Sequence, residues 1–518
     1  MTEQGPSSRR QFLKTLTWLA AAGVSGPLSD LFRYADAAPA EKGKKSYELA
    51  PWTGDDFTLG HKLRSGELPV MPAESERTVD FVIVGGGIAG LTSAYFLKDH
   101  NYLLLEQYDE LGGQSRGRSY RGIEYSLGAA YLGSKDGIHG RLIDELGITP
   151  VELPPTKNSW YWEGKWYPGI SGKDQSLFYK ELERLIADCK PIWKLMPDGE
   201  PRLPLTDGEL VKLDSTTFAS LLEGHDPKFV SMINNFLKSS CCAGADQLSA
   251  IAGTYLLADL ISPSYVFKGG NPAIAKALRQ KLDKAGSGRS ITGAFVWRVD
   301  LRENGASVVY TTRDGAAHRV NCKHAIVTAP PLVAARIIPD LDDRTKASLL
   351  WFKFGSYLVA NFCMRKKVFN GAYDNWVGSP FTFSDVIIAE TPYLATHTYK
   401  PEMGSVLTVY QPYSNQSQGR PLLLQGDREA FASSLIAQIS KLVAQFQGNL
   451  DELVLTRWGH AMAIARPGMF AKLAQIQAGD TGPVSLAHNS MAGLPSAESA
   501  ITAARFAADR ALKVKPRI

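Results

Sequence analysis

Apolar positions early in this chain gather into short unbroken runs rather than alternating with polar ones. Phe81-Val82-Ile83-Val84 and Tyr102-Leu103-Leu104-Leu105 are apolar throughout, the pattern of strands covered on both faces in a parallel sheet. Between them, Leu91 to His100 reads as a helix. The pattern changes further on. Ser159-Trp160-Tyr161-Trp162-Glu163-Gly164-Lys165-Trp166-Tyr167 reads as an aromatic hairpin turning at Glu163-Gly164. Around it, Leu177 to Trp193 and Thr217 to Ser239 carry helical periodicity.

The junction of the first strand and its helix holds the first candidate chemistry, Gly85-Gly86-Gly87-Ile88-Ala89-Gly90. Gly85 permits a tight turn, Gly87 lets a pyrophosphate approach the backbone, and Gly90 permits close packing of helix on strand. The helix start that follows, at Ile88 and Ala89, offers unpaired N–H groups and a positive dipole end to phosphates. The second strand ends in Glu106, with Gln107 beside it. A carboxylate there accepts hydrogen bonds from a ribose hydroxyl. Strand, turn, helix and acid agree on a dinucleotide site, and the turn alone leaves FAD and NAD open.

Two later stretches bear on that choice. Glu110-Leu111-Gly112-Gly113-Gln114-Ser115-Arg116-Gly117 is followed by Tyr125-Ser126-Leu127-Gly128-Ala129-Ala130-Tyr131. Together they resemble the second glycine doublet of the flavin-containing amine oxidase superfamily, which includes monoamine and amino-acid oxidases, protoporphyrinogen oxidases and phytoene desaturases. The resemblance implies FAD, with Gly112, Gly113, Gln114, Ser115, Gly128, Ala129, Ala130 and Tyr131 alongside it. The family's arginine directly after the doublet is Gln114 here, with Arg116 and Arg118 nearby.

The resemblance runs on through most of the chain. Gly269-Gly270-Asn271-Pro272 looks like the glycine pair opening a helix, Ala273 to Ala285. Phe295-Val296-Trp297-Arg298-Val299 looks like the strand that meets the adenine, which places Val296 there. Ala325 to Pro331 and Thr456-Arg457-Trp458 are similar to further family segments. Val484-Ser485-Leu486-Ala487-His488-Asn489 leads to Glu498-Ser499-Ala500-Ile501 and a helix through Ala511. The resemblance implies that Asn489 meets the ribityl hydroxyls and that Ser499 and Ala500 face the flavin pyrimidine edge. Where the family has glycine and an acid, this chain has His488-Asn489.

The implied fold is α/β. A Rossmann-like FAD-binding domain is assembled from 78–150, 260–340 and 455–518, with a discontinuous α+β substrate domain from 151–259 and 341–454. The implied activity is hydride transfer to flavin from an amine, with oxygen or a separate electron acceptor taking the electrons. Three departures keep other activities open. Val359 falls at the family's flavin-facing lysine, and Lys353 reads as a strand-end lysine. Ala461 or Met462, and Leu494 to Ser496, fall where monoamine oxidases carry the two tyrosines of an amine cage. His460 falls where some members bond covalently to flavin, so His460 and His488 are the catalytic candidates. A desaturase- or isomerase-like enzyme on an apolar substrate, and a flavin-bound binding or assembly protein with little turnover, are the alternatives.

The chain's opening adds a destination. Ser7-Ser8-Arg9-Arg10-Gln11-Phe12-Leu13-Lys14, an apolar stretch and Ala35-Asp36-Ala37 resemble a twin-arginine export signal spanning 1–40. That implies recognition by the twin-arginine machinery and a periplasmic or extracellular mature protein. Residues 41–77 read as a polar arm or linker. With 518 residues the chain is long enough for two domains. A net charge of only +5 without a basic run carries no nucleic-acid footprint. The five cysteines lack metal-ligand spacing and read as buried thiols, with no metal site.

Overall fold

The apolar runs become neighbouring parallel strands. In the computed structural model Arg77–Val84 lies between Tyr102–Leu105 and Ala317–Val327, parallel to both. Residues 46–153, 157–169, 178–196, 201–286, 289–479 and 481–513 are described, so the export segment at 1–40 lies outside them. Ala317–Val327 is shared along its length. Its first half pairs with Gly305–Thr311, which pairs on with Phe295–Arg302; its last residues pair in parallel with Val484–Leu486. With Ser290–Ile291 at the far edge this makes seven strands. The helix Ile88–Phe96 packs against Pro272–Ala285 and Ala497–Ala511, which covers one face and explains the unbroken apolar runs. Stretches distant in sequence thus build one Rossmann-like body.

A second sheet of nine strands forms the other body. Its centre is the antiparallel pair Phe354–Met364 and Leu450–Ala463. Ser405–Tyr413, Asp385–Ile388, Asp374–Val377, Asn158–Trp162 and Lys165–Pro168 follow in that order. The last two are the aromatic hairpin, with Lys165 opposite Trp162. Its turn residues, Glu163 at φ 45° and Gly164 at φ 83°, have the left-handed backbone that a two-residue hairpin of matching twist requires.

Some boundaries differ from the sequence pattern. The periodic stretch Thr217–Ser239 is a 3-10 turn, Phe218–Leu222, followed by a helix, Pro227–Cys241. Asp226 restarts the helix by accepting from the N–H groups of Lys228 and Phe229, and Pro227 suits a first helical position. The segment 41–77 is more ordered than a linker from residue 46 onward. Glu48–Leu49 and Thr53–Gly54 pair in parallel with Leu450–Ala463, and Thr58–Ser65 is a helix. All five cysteines are free and buried. No helix among the described residues is long and apolar enough to cross a membrane.

Candidate active site

The glycine turn works by close approach. A Cβ on Gly90 would lie 1.8 Å from the Gly85 carbonyl oxygen, so only glycine lets the helix start press against the turn. The second glycine loop then locks onto the first: Gly112 N–H donates to the Gly86 carbonyl at 2.8 Å. Glu106 closes the cradle. Its carboxylate accepts from the N–H of Gly86 at 2.5 Å and of Tyr108 at 2.9 Å. Burial raises its pKa, and those two backbone donors oppose the rise.

One cavity of about 1300 Å³ extends from this cradle into the second body. That exceeds the usual range for a single small-molecule pocket, roughly 300–1,000 Å³, and leaves room for a cofactor with a substrate beside it. Gly85, Gly87, Ile88, Ala89, Glu106 and Gln107 line one end, with Val296 nearby. Gly112, Gly113, Gln114 and Ser115 line the next stretch, then Gly128, Ala129, Ala130 and Tyr131. His460, His488, Asn489 and Ala500 complete the predicted set on the wall.

Two predicted residues are not on it. Gly90 serves the packing just described. Ser499 turns inward, donating to the Leu494 carbonyl while its N–H is capped by Ser496 Oγ. Its hydroxyl therefore anchors the start of Ala497–Ala511, and Ala500 reaches the cavity. The arginine question also resolves locally. Arg116 bonds the carbonyls of Gly113 and Gly54 and stacks over Tyr108 and Trp458, whereas Gln114 lines the cavity and donates to the His460 carbonyl at 3.1 Å.

Both candidate histidines are held neutral. Burial lowers His488 and His460 to about 3, with the Arg420 and Arg336 guanidiniums adding to the effect at His460. His488 Nδ1 accepts from the Ser490 backbone N–H at 3.2 Å. His460 Nε2 and Asn489 Oδ1 are buried polar atoms without a hydrogen-bond partner, on residues lining the cavity. Each such atom is costly unless a bound molecule satisfies it.

The departures expected from sequence are also on this wall. Val359, Ala461, Met462, Leu494, Pro495 and Ser496 all line the cavity, and Lys353 reaches its edge from the start of the strand Phe354–Met364. Aromatic walls come instead from the predicted Tyr131 together with residues that sequence reasoning missed. Tyr357 donates to the Lys238 carbonyl at 2.8 Å, Tyr410 to the Gly128 carbonyl at 2.6 Å, and Tyr131 to Asp374 Oδ2 at 2.8 Å. Trp376 and Phe236 lie beside them, their rings 5.3 Å apart.

Several acids of the chamber were missed too: Asp55, Asp259, Asp374, Asp385 and Glu498 line it. The only sequence signal was an aspartate set among apolar strand residues, as in Asp385-Val386-Ile387-Ile388. Asp55 comes from the ordered arm, where its Oδ2 accepts from the Gly459 N–H at 2.7 Å.

The residues present fit a bound dinucleotide. A glycine cradle with an acid at the end of the next strand shares its cavity with unsatisfied polar atoms on His460 and Asn489. A Rossmann-like body whose glycine cradle opens into an aromatic chamber is the architecture of a dinucleotide-binding protein. More narrowly, the chain belongs to the flavin-containing amine oxidoreductase family, whose model matches residues 88–512. FAD is the cofactor of that family.

Among curated relatives, a probable flavin-containing monoamine oxidase A of Dictyostelium discoideum is 27% identical over 285 residues, 50% of this chain and 59% of the relative. A putative flavin-containing monoamine oxidase of Mycobacterium tuberculosis is 27% identical over 288 residues, 51% of this chain and 59% of the relative. The match thus spans about three fifths of the length of these relatives. Solved structures share the fold: putrescine oxidase with a TM-score of 0.67 at 18% identity, and cyclohexylamine oxidase from Brevibacterium oxydans with 0.65 at 15%. Each alignment covers 84% of this chain and 99% of the other.

Proposed function

We propose that this protein is an exported FAD-dependent oxidoreductase that takes hydride from an amine-bearing carbon of a small substrate. The observation that carries the reading is the single cavity running from the glycine cradle into a chamber walled by Tyr131, Tyr357, Tyr410 and Trp376. When bound, FAD supplies the hydride acceptor. The chain's own residues hold and dry the site. The Glu106 carboxylate would accept from the ribose hydroxyls, and the peptide groups of Gly87 and Gly113 would hold the phosphates. Asn489 Oδ1 would accept from the ribityl hydroxyls. The helix Ala497–Ala511 starts on the cavity wall, where its positive dipole end would favour negative charge on the flavin.

His460 and His488 enter as neutral imidazoles, suited to accepting or relaying a hydrogen bond rather than carrying charge. Val359 at the position of the family's lysine favours delivery of electrons to an acceptor other than oxygen. An apolar-substrate desaturase or isomerase is less well supported, because buried acids and Lys157 line the chamber. A binding protein with little turnover is less well supported by a chamber so closely joined to the cradle.

Anaerobic titration of the purified yellow protein with primary amines tests the reading: the flavin absorbance should bleach. Bleaching by a polyene alone, or by no amine in a broad panel, would overturn it. For export, replacing Arg9-Arg10 by Lys-Lys should leave the protein in the cytoplasm. Undiminished export of that variant would remove the twin-arginine proposal.

A further inference from the structure

The cavity meets solvent where its lining residues are exposed. The charged residues among those are Asp56, Arg64, Arg336 and Lys353, with His61 beside them. Asp56 is already engaged, its Oδ1 accepting from the N–H and the hydroxyl of Thr58. The acids of the chamber, Asp259, Asp374, Asp385 and Glu498, are buried or half-buried. The mouth is therefore basic, although the whole chain carries only +5.

Separate elements supply these cations. Arg64 stands on the arm helix Thr58–Ser65 and Arg336 on the helix Pro331–Ile337. Lys353 precedes the strand Phe354–Met364, and the Phe354 N–H donates to Gln416 Oε1 at the start of the helix Gln416–Gln425. Arg420, on that helix, is half-buried. Burial lowers its pKa; Asp55 opposes that, and the Arg64 and Arg336 guanidiniums add to it. Among the described residues, none of the four cations has a carboxylate within ion-pair distance. Arg336 donates to a carbonyl of its own helix, Leu332, at 3.2 Å. Unpaired like charges held together oppose folding by self-repulsion, and an anionic partner removes that cost.

The cluster lies against a residue that the family places at the flavin. A Cβ on Gly459 would sit 3.7 Å from Arg420 Nε, and His460 is the next residue. Beyond burial, the strongest influences on His460 are Arg420 and Arg336, which hold its pKa down. A cationic amine gains nothing from a mouth of its own charge. An electron acceptor with an anionic face does. Because Arg64, Arg336 and Lys353 are exposed and come from separate elements, they offer charge to a broad face rather than enclose a small ion.

We propose that Arg64, Arg336, Lys353 and Arg420 form the docking surface for an acidic one-electron redox protein, which takes the electrons that substrate leaves on the flavin. The proposal rests on the flavin assignment and on electron delivery to an acceptor other than oxygen; it is independent of which amine is oxidised. For each hydride taken from substrate, two acceptor molecules are each reduced by one electron and one proton passes to solvent. Exposed cations of this kind act mainly on the rate of encounter, and their effect falls with ionic strength.

The test starts from holoprotein photoreduced without air, so that no substrate is needed. The probes are plastocyanin, a one-electron copper protein with an acidic face, and cytochrome c, a one-electron haem protein with a basic face. Reoxidation by plastocyanin should slow at least about 10-fold between about 10 and 300 mM salt, and reoxidation by cytochrome c should not slow. At low salt R64E and R336E should each slow the plastocyanin reaction by about 5-fold or more. K165E is the control of equal charge change, since Lys165 is exposed on the last strand of the second sheet and outside the cavity lining. A second readout needs no electron transfer: oxidised holoprotein should bind immobilised plastocyanin, more weakly in R64E and R336E than in K165E. An effect of K165E as large as theirs reduces the attraction to net charge and overturns the docking surface. Absence of salt dependence, or full rates in both arginine variants, overturns it equally. If ferricyanide reoxidises the flavin in an Arg64-dependent way while plastocyanin neither binds nor reacts, the acceptor is a small anion and the protein partner is ruled out. Failure of every amine to reduce the flavin would remove amine oxidation and leave the docking result standing.

Discussion

Gly90→Ala should yield a protein without flavin and with stability reduced by about 3 kcal/mol or more, at or beyond the upper range of overpacking effects. The added methyl would sit 1.8 Å from the Gly85 carbonyl oxygen, a backbone atom that cannot rotate aside. Relief requires the helix Ile88–Phe96 to lift from the turn, which opens the cradle and loosens its packing on Ala497–Ala511. Flavin absorbance per protein and a urea unfolding curve measure the two consequences. Gly448→Ala is the matched control, because a Cβ there meets nothing within 4 Å. Retention of full flavin and unchanged stability in Gly90→Ala would contradict the assignment of this turn as the cofactor cradle.

The second large effect is expected at Glu106. Glu106→Ala removes the acceptor for the N–H groups of Gly86 and Tyr108. Leaving buried donors unpaired costs about 1–3 kcal/mol each. On the proposed role it also removes the partner of the ribose hydroxyls. FAD affinity should therefore fall on the order of 100-fold or more. Titrating apoprotein with FAD, followed by flavin fluorescence, gives the number. Glu106→Gln keeps an acceptor oxygen and should lose less. A non-covalent holoprotein that keeps its flavin after Glu106→Ala would remove the ribose assignment.

The legible parts of this protein share a property: their constraints act within a few residues. The run Phe81–Val84, the glycines after it and Glu106 at the end of the next strand could be read directly, because turn sterics and helix-end hydrogen bonding are local. The hairpin at Glu163-Gly164 was legible for the same reason. Resemblance extended the reading to Gly112–Ser115, Gly128–Tyr131, Val296 and Asn489, all of which line the cavity. Ser499 is not on that wall, its hydroxyl being drawn to the Leu494 carbonyl. A one-residue rotation at a helix start lies below the resolution of pattern matching.

The chamber beyond the cradle was not legible. Tyr357, Tyr410, Asp374 and Asp385 come from four strands whose order in the sheet differs from their order in the chain. Asp55 reaches the site from a segment whose composition suggested a polar arm or linker. The odd positions at Val359, Ala461 and Leu494 were correctly placed on the wall, but their partners across the cavity were invisible.

The sequence by itself determined the dinucleotide turn and the kinship that implies FAD. Tertiary structure decided which acids are buried, which polar atoms lack partners and how His460 and His488 titrate. Glycine sterics and periodicity are properties of adjacent residues. Desolvation and charge pairing depend on everything packed around a group, whatever its distance along the chain.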